Sequence, residues 1–260
     1  MHLHTLSLSL IAICFMTLFS SCSDQLILNN PSIEESSLKE YIELNNTLEI
    51  VDLVACAGGS KNGLLGSALE PTDVLFYPVV GASDFRYFET ENIVDSTTFS
   101  QYVEKKLEDI ALYNGYMRKF NNFPFVDERM GIVTYKTPGK LHISNPIRLK
   151  TNTKPTEVNE DLLIVEENGI MPSFTWTDGI IDENIIYFQA ISDNDNNFIS
   201  GTYTIDKEFT FYDLSNVVFN ITDTTSVPRL NPNSEYTITL MGISEDNWIN
   251  VYMEKSFSTD

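Results

Sequence analysis

Three oxygen-bearing side chains alternate over a short polar segment in the second half of the chain. Asp193, Asp195 and Asn197 have the spacing of the first ligands of a calcium-binding loop. Such a loop needs Gly at its sixth position and a bidentate Glu at its twelfth, whereas Phe198 and Thr204 stand there. The segment therefore predicts a solvated hairpin turn, with Asp193 and Asp195 as candidate ligand-binding residues. Weak calcium binding is the alternative.

A glycine-rich segment occupies residues 58–63, with the sequence Gly-Gly-Ser-Lys-Asn-Gly. Glycines at this density are typical of loops that surround a phosphate with backbone N–H groups. A phosphate loop continues with Lys and then Ser or Thr, but Leu64 and Leu65 follow here. We expect a connection between two strands and no nucleotide site.

Thiols and imidazoles are scarce beyond the first 22 residues, where Cys56 and His142 stand alone. A nucleophilic thiol needs a His partner, and zinc sites need several Cys or His ligands. The sequence also contains no G-x-S-x-G and no H-E-x-x-H pattern. We therefore expect no catalytic residue, no metal and no cofactor. A hydrolase of glycans or peptides, of unrecognised type, is the alternative.

Aromatic side chains offer a different chemistry, because their faces stack on sugar rings or fill a partner's pocket. Trp248 stands beside a polar turn at Asp246 and is a candidate ligand-binding residue. The alternative is a packed ring that anchors the loop. The same two interpretations apply to four tyrosines, which are Tyr113, Tyr116, Tyr187 and Tyr212.

The formal net charge is −21 and the isoelectric point is about 4.3. Nucleic acids and anionic membranes are bound through Lys and Arg that meet phosphates, so this balance argues against both as partners. It suits a solvated surface or a neutral or cationic ligand.

The first 23 residues contain no Asp, Glu, Lys or Arg, and residues 6–19 are mainly apolar. This run is shorter than the roughly 20 residues of a membrane span and fits the core of a signal peptide. Phe19-Ser-Ser-Cys22 follows it and resembles the lipobox of bacterial lipoproteins, in a form familiar from Bacteroidota. The resemblance implies a signal peptide at residues 1–21, lipid attachment to Cys22, and a tether at residues 22–31. An ordinary signal peptide is the alternative.

Phe, Tyr, Val, Ile and Thr are abundant, and these residues pack well on a pleated sheet. We predict a mainly β protein of two β-sandwich-like domains. Residues 32–145 form the first, which begins with a short helix at about 32–44 that Ser32 and Glu35 would cap. Residues 146–260 form the second, where Phe174 and Trp176 alternate with polar residues on one strand.

Residues 230–240 read LNPNSEYTITL. The spacing of Leu230, Pro232 and Tyr236 resembles the tyrosine corner of fibronectin type III domains, and Trp176 resembles the core Trp of that family. The resemblance implies that the Tyr236 hydroxyl bonds to the backbone a few residues upstream. It also implies a binding or spacing module without chemistry of its own. Another kind of sandwich is the alternative.

Two short segments, Asp95-Ser96-Thr97 and Asp223-Thr224-Thr225, resemble acceptor sites of O-glycosylation in Bacteroidota. They make Ser96 and Thr224 candidate modification sites. Together the patterns predict a non-enzymatic outer-membrane lipoprotein, exposed at the cell surface, that binds a glycan or an envelope protein. An inert spacer that presents a partner protein is a further alternative.

Overall fold

The computed structural model describes residues 36–60, 72–122, 127–222 and 227–260, all within one compact unit. The fold is mainly β and sandwich-like, as predicted. Over the described ranges, no helix is long and apolar enough to cross a membrane. The predicted signal peptide, the tether and Cys22 lie outside these residues.

The first half contains ten strands among its described residues. They are β1 (Glu49–Leu53), β2 (Ala55–Gly58), β3 (Thr72–Phe76), β4 (Ser83–Glu89), β5 (Val103–Lys105), β6 (Asp109–Leu112), β7 (Met117–Asn122), β8 (Arg129–Thr137), β9 (Lys140–Ser144) and β10 (Ile147–Leu149). Sheet A has the order β1-β9-β8-β4-β5, with β10 also paired to β8, and sheet B has the order β2-β3-β7-β6. We call sheets A and B the first sandwich.

The second half contains nine strands in the part that the structure describes. They are β11 (Glu157–Val158), β12 (Leu163–Glu166), β13 (Ser173–Trp176), β14 (Asn184–Asp193), β15 (Phe198–Thr204), β16 (Glu208–Thr210), β17 (Val217–Asn220), β18 (Glu235–Ser244) and β19 (Ile249–Ser258). Sheet C has the order β11-β19-β18-β14-β15-β17, and sheet D has the order β12-β13-β16. Sheets C and D are the second sandwich.

The two sandwiches share one pattern of strand pairing. In each, the first strand runs parallel to a late strand, β1 to β9 and β11 to β19. The pairs β2–β3, β4–β8 and β8–β9 in the first correspond to β12–β13, β14–β18 and β18–β19 in the second. Strand β10 still pairs with β8, so residues 147–149 belong to the first sandwich although the predicted second domain begins at 146. The division into two domains stays a prediction.

Helix α1 (Leu38–Leu44) covers the outer face of sheet A. Its capping box uses Ser37, whose hydroxyl accepts the Glu40 N–H at 3.2 Å, while the Glu40 carboxylate accepts the Ser37 N–H at 2.9 Å. Such a cap is worth about 1 kcal/mol. The predicted cap, Ser32 with Glu35, lies outside the described residues.

The four sheets are stacked through three hydrophobic clusters. Because strand side chains alternate, Val74 and Phe76 of β3 pack towards sheet A while Leu75 between them packs towards sheet C. In β14, Tyr187 faces sheet D and Phe188 faces sheet B. The layers therefore run α1, A, B, C, D, and one face of sheet C is buried against the first sandwich.

Candidate ligand site between the two sandwiches

The β18–β19 turn of the second sandwich packs into the first and is hydrogen-bonded to it. Trp248 is fully buried, and its Nε1 donates to the carbonyl of Lys154 at 2.8 Å. The Ala57 N–H of β2 donates to the carbonyl of Asn247 at 3.0 Å. The prediction of a free Trp248 ring is therefore wrong, because the ring fills the junction and presents no face to a ligand.

A partly buried ion pair supports the same turn. The Nζ of Lys150 lies 2.6 Å from the Asp246 carboxylate, and Lys150 is almost fully buried. Burial raises the pKa of Asp246, but hydrogen bonds from Lys150 and Ser244 lower it by more, so the pKa lies below its ordinary value. The loop around Asp246 to Trp248, proposed from sequence as a ligand site, is thus an internal contact.

At the other end of the molecule, the β6–β7 loop of the first sandwich reaches over the second. Tyr113 and Asn114 have left-handed φ angles of 48° and 51°, followed by Gly115 at 93°. This conformation costs a non-glycine residue about 1–3 kcal/mol and persists where surrounding contacts impose it. The Tyr113 hydroxyl donates to Thr239 Oγ1 at 3.1 Å, and Asn114 Nδ2 donates to Asn197 Oδ1 at 2.7 Å. The loop is therefore held by the second sandwich.

A second contact of this loop is aromatic. The Tyr116 ring stacks on Phe198 of β15 with 3.9 Å between centroids. Its hydroxyl donates to the carbonyl of Ile221 at 2.5 Å. These contacts fix the loop against sheet C on both sides of Gly115.

A cleft of about 400 Å³ opens between this loop and sheet C, and we call it the junction cleft. Its lining comes from both sandwiches: Leu112, Tyr113, Ser192, Asp193, Asn194, Asn196, Thr237, Thr239 and Glu254. The first sandwich contributes the apolar wall. The second contributes hydroxyl, amide and carboxylate groups.

Strand register explains how the hydroxyl groups meet. Ser192 of β14 lies opposite Thr237 of β18, and Thr239 lies opposite Glu254 of β19. Opposed residues of an antiparallel pair have Cβ atoms about 4.5–5.5 Å apart. Ser192 is only 5% exposed and lines the cleft. The cleft thus places the Ser192 and Thr237 hydroxyl groups side by side in its lining.

The two carboxylates of the cleft are already engaged. Asp193 Oδ1 accepts the N–H groups of Asp195 at 3.0 Å and Asn197 at 2.8 Å, and its Oδ2 accepts Asn197 Nδ2 at 2.9 Å. Burial raises the pKa of Asp193, but these bonds lower it by more. Glu254 accepts the Tyr252 hydroxyl at 2.6 Å. Burial, and next Glu254, raise the pKa of Tyr252 well above its usual range.

The Asp193–Asn197 segment forms the hairpin turn that the sequence predicts. Asp193 organises the turn through amide groups, so its oxygens are not arranged around a cation. Asp195 lies on the other side of the turn, where it lines a neighbouring cleft of about 430 Å³ with Arg229 and Asn231. Across the described segments, no three His, Cys, Asp or Glu side chains come together as metal ligands would.

The start of β18 has the geometry that the LNPNSEYTITL motif implies. The Asn231 N–H donates to the Tyr236 hydroxyl at 2.8 Å. Leu230 and Tyr236 are buried, and Pro232 is exposed on the turn. Trp176 is buried in the same cluster, with its ring 5.5 Å from that of Tyr187. The corner fixes β18, which carries two of the cleft's hydroxyls.

The remaining predicted residues lie away from the cleft or outside the described residues. Ser96 is exposed on a turn where Asp95 accepts the Thr97 N–H at 2.9 Å, and Thr224 is not among the described residues. Cys56 is buried, and burial raises the pKa of its thiol to about 12. Tyr187 lies in the core, and the Tyr212 hydroxyl accepts Asn220 Nδ2 at 2.7 Å.

The sequence does not indicate that Tyr113, Ser192, Thr237 and Glu254 form one group. The dipeptide Asn114-Gly115 is a turn signal, and it interrupts a segment that composition alone favours as one strand. Nothing in the sequence indicates that this turn reaches the second sandwich. The sequence matches no protein-family model, and no curated protein shows significant sequence similarity to it.

Proposed function

We propose that this protein is a non-catalytic binding or assembly module of the cell envelope, anchored through lipid on Cys22. The observation that carries the binding role is the junction cleft, whose two walls come from different sandwiches. Two sandwiches locked at one end by Trp248 and at the other by Tyr113 hold such a cleft in one shape. Preorganisation of this kind reduces the free-energy cost of binding.

We also infer that the second sandwich is related to fibronectin type III domains. The β12-β13-β16 sheet facing a sheet ordered β19-β18-β14-β15 supports this, as does the Asn231–Tyr236 bond. Strands β11 and β17 are additions at the two edges of sheet C. Fold alone does not give function, so the binding role depends on the cleft.

Membrane fractionation tests the anchor. Cys22→Ala should move the protein from the membrane pellet to the soluble fraction after a high-salt wash, because acyl chains would no longer hold it. Cys14→Ala is the matched control, since that residue lies in the proposed signal peptide and should leave the protein in the pellet. A Cys22→Ala protein that still pellets would overturn the anchor.

Protease added to intact cells tests surface display. A displayed protein should be degraded while a periplasmic control protein survives. Survival of both would place the module inside the outer membrane and remove the outward-facing part of the proposal.

An activity assay separates binding from catalysis. Purified protein incubated with a panel of glycans and peptides should release no product. Hydrolysis that Glu254→Gln abolishes would replace the binding module with a hydrolase.

Glycosylation belongs to the same proposal. Ser96 presents its hydroxyl on an exposed turn, which suits an acceptor. The intact mass of the native protein should exceed that of the acylated chain, and Ser96→Ala with Thr224→Ala should remove the excess. A native mass equal to that of the acylated chain would rule out both sites.

A further inference from the structure

We propose that the junction cleft binds a neutral saccharide. The inference rests on the proposed binding function and adds the class of ligand and the residues that recognise it. It depends on the charge of the second sandwich, on the engaged carboxylates, on the hydroxyl groups of the lining and on the difference between the two walls.

Charge excludes anionic ligands. Residues 155–260 contain 19 Asp and Glu but only three Lys and Arg, which gives this part of the chain a net charge of −16. The described lining of the cleft includes no Lys, Arg or His. Phosphates, sulfates and uronic acids would meet repulsion here without a compensating cation.

The state of the carboxylates argues against a cation as the main ligand. Both oxygens of Asp193 accept hydrogen bonds within its own turn, and Glu254 accepts one from Tyr252. A metal ion or an ammonium group needs several oxygens free to replace its water shell. Asp193 would have to give up existing bonds to supply them, and the remaining oxygen of Glu254, Oε1, is too few for such an ion.

The hydroxyl groups of the cleft have the same hydrogen-bonding capacity as those of a sugar. Each sugar hydroxyl both donates and accepts, as do Ser192 and Thr237, which face each other across β14 and β18. Ser192 is nearly buried and lines the cleft, so its hydroxyl is placed to bond to a ligand hydroxyl there. Thr239 is already bonded to Tyr113, which fixes the neighbouring position.

The two walls match the two sides of a pyranose ring. Leu112 and Tyr113 form the apolar wall, against which the C–H face of a sugar packs. The opposite wall, on sheet C, carries the hydroxyl groups. A purely apolar ligand would leave that wall unpaired, and a small polar ion would leave the apolar wall unused.

Calorimetric titration of the full chain tests the proposal, with the protein extracted in a detergent that has no sugar headgroup. The neutral probes are glucose, galactose, mannose, N-acetylglucosamine and the β1,4-linked disaccharides of glucose and of N-acetylglucosamine. Glucuronic acid and spermidine are the charged comparators. At least one neutral probe should bind with a dissociation constant at or below about 1 mM. Both charged comparators should bind more weakly.

Two substitutions locate the site. Ser192→Ala and Thr237→Val each remove a hydroxyl with little change in shape, and each should weaken binding by about tenfold, the value of one hydrogen bond. Thr175→Val is the matched control, because Thr175 is exposed on the far face of sheet D and should bind as the parent does. Thermal melting of all three variants checks that the fold is kept.

Each contrary result has a distinct meaning. Absence of binding by every neutral probe, or binding that both cleft variants leave unchanged, overturns the saccharide site. Stronger binding of spermidine or glucuronic acid that Ser192→Ala weakens overturns the ligand class but keeps the cleft as a binding site. The anchor is judged separately by fractionation, so failure here does not imply failure there.

Discussion

The two sandwiches share the central part of their strand pairing but differ strongly in charge. Residues 36–154 contain 13 Lys and Arg against 15 Asp and Glu, a net charge of −2, whereas residues 155–260 have three against 19. Pairing order is set by backbone hydrogen bonds and by the alternation of buried side chains, neither of which depends on surface charge. The surface of one sandwich can therefore diverge while its interior keeps the common plan.

Their interiors also use polar groups differently. The first sandwich buries ion pairs, in which Lys119 lies 3.0 Å from Asp73 and Arg129 lies 2.8 Å from Glu89. The second closes its corner with an uncharged bond between Asn231 and Tyr236. Where the two sandwiches meet, there is one interaction of each type: the Lys150–Asp246 ion pair and the uncharged hydrogen bond from Trp248 to the Lys154 carbonyl. We expect substitutions at these places to differ in size and in whether they separate the sandwiches.

The largest effect should come from Trp248→Ala. Removing this fully buried ring leaves a cavity between the sandwiches, at a cost of about 4 kcal/mol. Calorimetry should then show two unfolding transitions instead of one. Trp176→Ala, inside the second core, should cost a similar amount without splitting the transition. A single transition in both variants would mean that Trp248 does not couple the sandwiches.

The buried pair of the first sandwich comes next. Lys119→Met should cost about 3 kcal/mol, because it leaves the Asp73 carboxylate buried without its main cation. Adding Asp73→Leu should restore part of the loss, which a double-mutant cycle by urea denaturation measures. Additive losses would show that the two side chains do not interact.

Tyr236→Phe should have a smaller effect, of about 1–2 kcal/mol. It leaves the Asn231 N–H without a partner while it keeps the packing of the ring. Tyr212→Phe is the matched control, since the Tyr212 hydroxyl also accepts from an Asn N–H group but its ring is only partly buried, whereas Tyr236 is buried. Urea unfolding that gives equal values for the two would remove the special role of the corner.

The fold class could be predicted because single strands carry the necessary pattern. Phe174 and Trp176 alternate with polar residues, and both are buried as that pattern predicts. Strand β14 is apolar on both faces, which indicates burial but does not identify what covers each face. The stacking of sheet B on sheet C therefore could not be predicted.

The cleft could not be predicted for the same reason. Ser192 and Thr237 are 45 positions apart, and they become neighbours only through the register of β14 on β18. Trp248 shows the same limit for a single residue. A ring beside a polar turn has the same local sequence whether it is free or inserted into another sandwich, so the sequence left both interpretations open, and the buried ring is the one found.

The smallest effect concerns the pH dependence of the Lys150–Asp246 ion pair, which joins the two sandwiches. The folded pKa of Asp246 is depressed below its ordinary value of 3.8. A depressed carboxyl pKa stabilises the folded state above the unfolded pKa, and this stability is lost as the pH falls through the folded pKa. The parent should therefore lose stability as the pH falls below about 4, and Asp246→Asn should lose less over the same interval.

Urea midpoints at pH 7, 4 and 3 measure this difference. Glu245→Gln removes a neighbouring charge outside the pair and should keep the parent's dependence. If Asp246→Asn loses as much stability at low pH as the parent, other carboxylates, and not the Lys150–Asp246 pair, determine the response to acid.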